Sequence, residues 1–133
     1  MGRIVPKTPS ELARMRVAGQ IVAEALELVR AHASPSVTTA SLDRMVEELI
    51  LKRGGVPAFK GYRGYPATIC ASINEQVVHG IPGPRKLQEG DLLSVDVGVF
   101  YEGYAGDAAV TVEIGECDPE SRRLARIAWE ALQ

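Results

Sequence analysis

Two β-forming runs joined at Glu102-Gly103, each carrying an aspartate, constrain this chain more than any other feature. Leu92 to Tyr101 and Tyr104 to Ile114 read as strands on either side of a turn-forming dipeptide. Asp96 stands inside the first run, Leu92-Leu93-Ser94-Val95-Asp96-Val97-Gly98-Val99. A carboxylate among β-formers in a central strand is costly unless it is paired or bound to a cation. Asp107 follows in the partner strand. With a two-residue or four-residue loop centred on Glu102-Gly103, position 96 faces position 109. Asp107 is then a diagonal neighbour of Asp96 on the same face, roughly 7–8 Å away at Cα. Two carboxylates directed into one site repel each other unless a cation or a shared proton intervenes. A three-residue or five-residue loop would put them on opposite faces. A plainer arrangement also fits the spacing, with one aspartate exposed on an edge strand and the other belonging to the turn.

The rest of the chain supplies helices and loops around this hairpin. Thr8-Pro9-Ser10-Glu11 reads as a capping box, with Thr8 as N-cap and Pro9 at the first helical position. Apolar residues then recur at helical spacing at Leu12, Met15, Ala18, Val22, Leu26 and Val29, and Ser34-Pro35 ends the helix. A second helix runs from a cap at Thr38 or Thr39 to about Arg53, with Leu42, Met45, Val46, Leu49 and Ile50 as its buried stripe and Gly54-Gly55 as its stop. Val56 to Tyr65, rich in Gly, Pro and Tyr, reads as an ordered loop, and Ala67 to Ile73 as a strand. A turn at Asn74-Glu75 and a Gly/Pro loop from Gly80 to Pro84 follow. Asp118-Pro119-Glu120 caps a last amphipathic helix, whose pattern is still running at Gln133; truncation in that helix is the expectation.

Bulk properties exclude several classes. The net charge is −2 and basic residues form no long run, so nucleic acid is not the expected partner. No apolar run reaches the roughly 18 residues that a membrane span needs. The first residues lack a signal-peptide core. Two cysteines, Cys70 and Cys117, are too few and too isolated for a disulfide framework, which points to a reducing cytoplasm.

Three motifs carry a resemblance. Asp96 to Thr111, with its Gly- and Tyr-containing turn and second aspartate, resembles the metal signature of the methionine aminopeptidases. Ser72-Ile73-Asn74-Glu75-Gln76-Val77-Val78-His79-Gly80-Ile81-Pro82 resembles that family's histidine loop, and Phe59-Lys60-Gly61-Tyr62-Arg63-Gly64-Tyr65-Pro66 its substrate-pocket loop. The order of the motifs and the His-Gly-Ile-Pro wording are similar to the N-terminal half of a type I enzyme. The resemblance implies an α/β (α+β) chain forming one half of a pita-bread fold over residues 1–133, an antiparallel sheet with helices packed on one face. It implies that Asp96 chelates one divalent metal ion and that Asp107 bridges two, with Mn²⁺, Fe²⁺ or Co²⁺ suited to hard carboxylate oxygens. His79 would be catalytic, hydrogen-bonding the scissile amide region of a peptide with N-terminal methionine. Tyr62, Tyr65, Cys70 and Phe59 would line the methionine pocket, where a thioether favours aromatic edges and soft surfaces. Backbone around Ser72 to Gln76 would hold a monovalent cation. His32, Cys117 and Trp129 carry no motif.

The family's site has five protein ligands, of which this chain supplies two; the histidine and both glutamates belong to the second half. Activity is therefore expected to need a second half or a second copy of the chain, with metal bound weakly or not at all by one chain alone. The alternative is a catalytically inactive half-domain acting as a binding or dimerisation module.

Overall fold

A computed structural model of the chain describes residues 2–133. Helix α1 spans Pro9–His32 and helix α2 Thr39–Lys52. Strand β1 (Val56–Pro57), a 3₁₀ turn (Tyr62–Gly64) and strand β2 (Ile69–Ile73) follow, then the hairpin β3 (Leu92–Tyr101) and β4 (Tyr104–Glu113), and helix α3 (Pro119–Leu132).

The capping box forms as the sequence implies: Thr8 N–H donates to Glu11 Oε2 at 2.7 Å and Glu11 N–H to Thr8 Oγ1 at 3.3 Å. The Tyr104 hydroxyl donates to the other oxygen of Glu11 at 2.8 Å, tying the start of α1 to the hairpin. Helix α2 starts from Thr38, whose side chain accepts from Ser41 N–H. Leu42, Val46 and Ile50 are its fully buried positions, with Leu49 packed at the margin.

Strand β3 is the centre of an antiparallel sheet. β4 runs along one edge, while β2 and then β1 share the other. The hairpin closes on the two-residue loop, Tyr101 facing Tyr104, with Glu102 and Gly103 both at positive φ as a tight turn of this twist requires. Leu93, Val95, Val97 and Val99 are each 0% exposed and point into one core with Ile21, Val29, Leu42, Val46 and Ile50 of the helices. Burying side chains of this size stabilises the fold by about 1.5–3 kcal/mol each.

The fold departs from the sequence reading at three places. Val56–Pro57 pairs with Val99 and Phe100, so part of the expected loop is a short strand. β2 begins at Ile69 rather than Ala67, because the N–H groups of Thr68 and Ile69 are both taken by Asp43 Oδ1 of α2, each at 2.9 Å. Leu12, on the periodic face of α1, is 48% exposed, since the core begins only at Ala18.

Candidate active site

Alternation along β3 delivers the site. Odd-numbered residues face the helices, so Ser94, Asp96 and Gly98 face the other side. In the observed register Asp96 faces Ala109 on β4 and Cys70 on β2, while Asp107 faces Gly98. The two aspartates are diagonal neighbours on one face, the two-residue-loop outcome. Burial pushes the Asp96 carboxyl up to about 6; a side-chain hydrogen bond with Asp107 and that residue's charge push the same way, while His79 opposes them. Asp96 Oδ1 is sealed from solvent and has no hydrogen-bond partner. An orphaned carboxylate oxygen beside a second carboxylate is costly, and a cation relieves both penalties.

An open cavity of about 670 Å³ rises from these carboxylates, lined by Phe59, Tyr62, Tyr65, Cys70, His79, Asp96 and Asp107. The structure thus brings all seven sequence-identified residues to one place. Arg63, Gly64, Pro66 and Ile81 line it as well. All four stand inside the motifs at 59–66 and 72–82.

Each wall is held by local chemistry. The Tyr65 hydroxyl reaches the carbonyls of Ile69 at 2.8 Å and Gly80 at 3.2 Å, so one phenol spans two loops. Burial, and after it the contact with Cys70, pushes the Tyr65 phenol well up, keeping it a donor. Burial raises the Cys70 thiol; the charges of Asp96 and Asp107 add to this and the Tyr65 hydroxyl opposes it. Cys70 is therefore a neutral wall residue rather than a thiolate nucleophile. Gly80 is stapled to β2, its N–H donating to Ser72 Oγ at 3.0 Å and its carbonyl accepting from Ala71 N–H at 2.8 Å. The staple holds His79 at the cavity wall with φ 58°, a left-handed conformation that non-glycine residues rarely adopt.

The donor set is partial. Hard oxygens of Asp96 and Asp107 fit a divalent cation. Among the described residues no cluster of three or more His, Cys, Asp or Glu side chains forms a closed metal site. His32 is exposed, with Nδ1 2.8 Å from the Leu28 carbonyl oxygen, and has no part in the site.

The cavity thus belongs to a class that combines a carboxylate pair with aromatic and aliphatic walls. Sequence comparison gives the class a family: residues 13–133 match metallopeptidase family M24, and the chain belongs to it. It is 50% identical over 129 residues to a methionine aminopeptidase of Clostridium acetobutylicum, covering 96% of this chain and 52% of that protein. It is 44% identical to methionine aminopeptidase 1 of Bacillus subtilis, covering 97% of this chain and 52% of that protein. The solved methionine aminopeptidase of Thermotoga maritima superposes with a TM-score of 0.93 at 46% identity, over 96% of this chain and 52% of that one. The chain therefore spans about half the length of the relatives it matches. The pita-bread architecture is shared, and the chain is one mixed helix and antiparallel-sheet half of it. A prolidase of Pyrococcus furiosus, 23% identical with a TM-score of 0.82, shares the fold alone.

Proposed function

We propose that this chain provides the N-terminal half of a dinuclear metalloaminopeptidase site that removes methionine from the N-termini of proteins. The observation that carries the reading is the orphaned Oδ1 of Asp96, set beside Asp107 at the base of an apolar cavity. Asp96 and Asp107 would hold the metal ions, which when bound supply a water acidic enough to act as a nucleophile near neutral pH. Tyr62, Tyr65, Cys70 and Phe59 bind the methionine side chain and exclude water from it. His79, on its rigid turn, donates a hydrogen bond to the scissile amide region. The remaining metal ligands come from a second half or a second copy of the chain. Association is favoured by α3, none of whose residues is buried: Leu124 and Leu132 are 65% and 74% exposed.

The test is release of methionine from a Met-Ala-Ser peptide with added Co²⁺ or Mn²⁺, beside an Asp96→Asn control. Metal-dependent release that disappears in the variant is the expected result. No release together with no bound metal would overturn it and leave a binding or dimerisation module.

A further inference from the structure

Gly98 sits in β3 opposite Asp107, on the face that carries the cavity, yet does not line it. The Phe59 ring lies across it. Ala58 donates its N–H to the Gly98 carbonyl at 2.9 Å, holding the segment after β1 against the strand. A Cβ built on Gly98 would stand 2.5 Å from Phe59 Cε1, 2.9 Å from Phe59 Cζ and 3.2 Å from Ala58 Cβ. Gly98 is not among the residues at positive φ, so its backbone would accept any L residue. Space alone demands glycine here, and the ring takes that space.

We infer that Gly98 is a positioning residue that sets the depth of the cavity. Having no side chain, it lets the Phe59 ring lie against β3, and the seat of that ring fixes the longest unbranched apolar chain the cavity accepts. The ligand class is a primary amine bearing such a chain; in the metal-free chain its ammonium group sits at Asp96 and Asp107, the carboxylates that would otherwise hold metal. This rests on the aminopeptidase reading for its ligand class, but not for its geometry. The clash at position 98 is with the far end of a ring that can rotate. Gly98→Ala therefore swings Phe59 into the cavity and shortens it, whereas Phe59→Ala lengthens it.

The experiment titrates the chain with n-alkylamines from propylamine to octylamine, followed by NMR. Affinity should rise about fourfold per buried methylene and then level off at a limiting length. Phe59→Ala should move that limit to longer amines and Gly98→Ala to shorter ones. The double variant should behave like Phe59→Ala, because Gly98 acts only through the ring. An unmoved limit in Gly98→Ala, additive effects in the double variant, or no amine binding at any length would overturn the inference. Should Gly98→Ala not fold, Phe59→Leu leaves the glycine intact and must still lengthen the limit, or the inference falls. A limit that moves as stated in a protein that releases no methionine and binds no metal would sink the aminopeptidase reading alone. Methionine release with an unmoved limit would sink only the role of Gly98.

Discussion

The two faces of β3 follow opposite rules within one strand. Leu93, Val95, Val97 and Val99 are sealed from solvent in the core they share with α1 and α2. Between them Ser94, Asp96 and Gly98 lie on the opposite face, where Asp96 lines a cavity with an unpartnered oxygen and two repelling carboxylates. The first face stabilises the fold, and the second spends part of that stability on binding capacity. A site this unfavourable without its ligand persists because the opposite face over-determines the strand's position.

The largest expected effect breaks the sealed face. Leu93→Ala should cost about 3 kcal/mol, because the cavity it leaves is walled by residues that cannot collapse into it. Denaturant unfolding followed by circular dichroism measures this, and a loss under about 1 kcal/mol would mean the core is looser than its burial indicates.

On the open face the sign should reverse. Asp96 titrates near 6 in the fold against 3.8 for an unperturbed aspartate. The folded chain thus holds that proton more tightly than the unfolded chain does. The resulting stability is fully present below about pH 4 and is lost as pH rises through about 6. Without metal, Asp96→Asn removes that loss and should gain roughly 1 kcal/mol at pH 8 while changing little at pH 4. Metal affinity should move the other way, falling by more than the roughly 100-fold typical of losing an outer-shell partner. Equal melting shifts for the variant at both pH values would show that Asp96 is not the strained group.

Helix α3 belongs to neither face. Leu124→Glu should change stability by less than about 0.5 kcal/mol, since the residue is 65% exposed and buries little in the fold. Its effect should appear in light scattering instead, as weaker self-association of the chain. A large loss of stability would mean that α3 is already packed on the sheet.

Legibility followed the reach of each interaction. The capping box of Thr8 and Glu11 is short-range and legible from spacing, whereas spacing leaves open whether Asp96 and Asp107 share a face until the loop length is known. Glu102-Gly103 marks the turn, but loops of two to five residues fit the sequence, and the observed pairing of Tyr101 with Tyr104 selects the two-residue one. Val56–Pro57 is not legible as a strand, because two residues have no period and only the partner Val99–Phe100 defines it. Asp43 was equally silent: on a helix it looks like a solvent-facing acid, and only the fold brings it to the N–H groups of Thr68 and Ile69. The motifs singled out Phe59, but no pattern in the chain says that its ring occupies the volume above Gly98.

The smallest expected effect tests whether strain on the open face extends to its loop. His79 has φ 58°, and a left-handed conformation costs a non-glycine residue roughly 1 kcal/mol. Glycine pays no such cost, though it loses more entropy on folding. His79→Gly should therefore stabilise the chain by about 0.5 kcal/mol, and His79→Ala, which keeps the strain and removes the imidazole, should not. Both should lower methionine release by about 100-fold or more if the imidazole donates to the reacting amide. A pair of variants that separate in thermal melts but coincide in turnover would show that the turn places the imidazole at the fold's expense. Equal melting temperatures would mean that the hydrogen bonds Gly80 shares with Ser72 and Ala71, rather than the conformation of residue 79, set the energy of the loop.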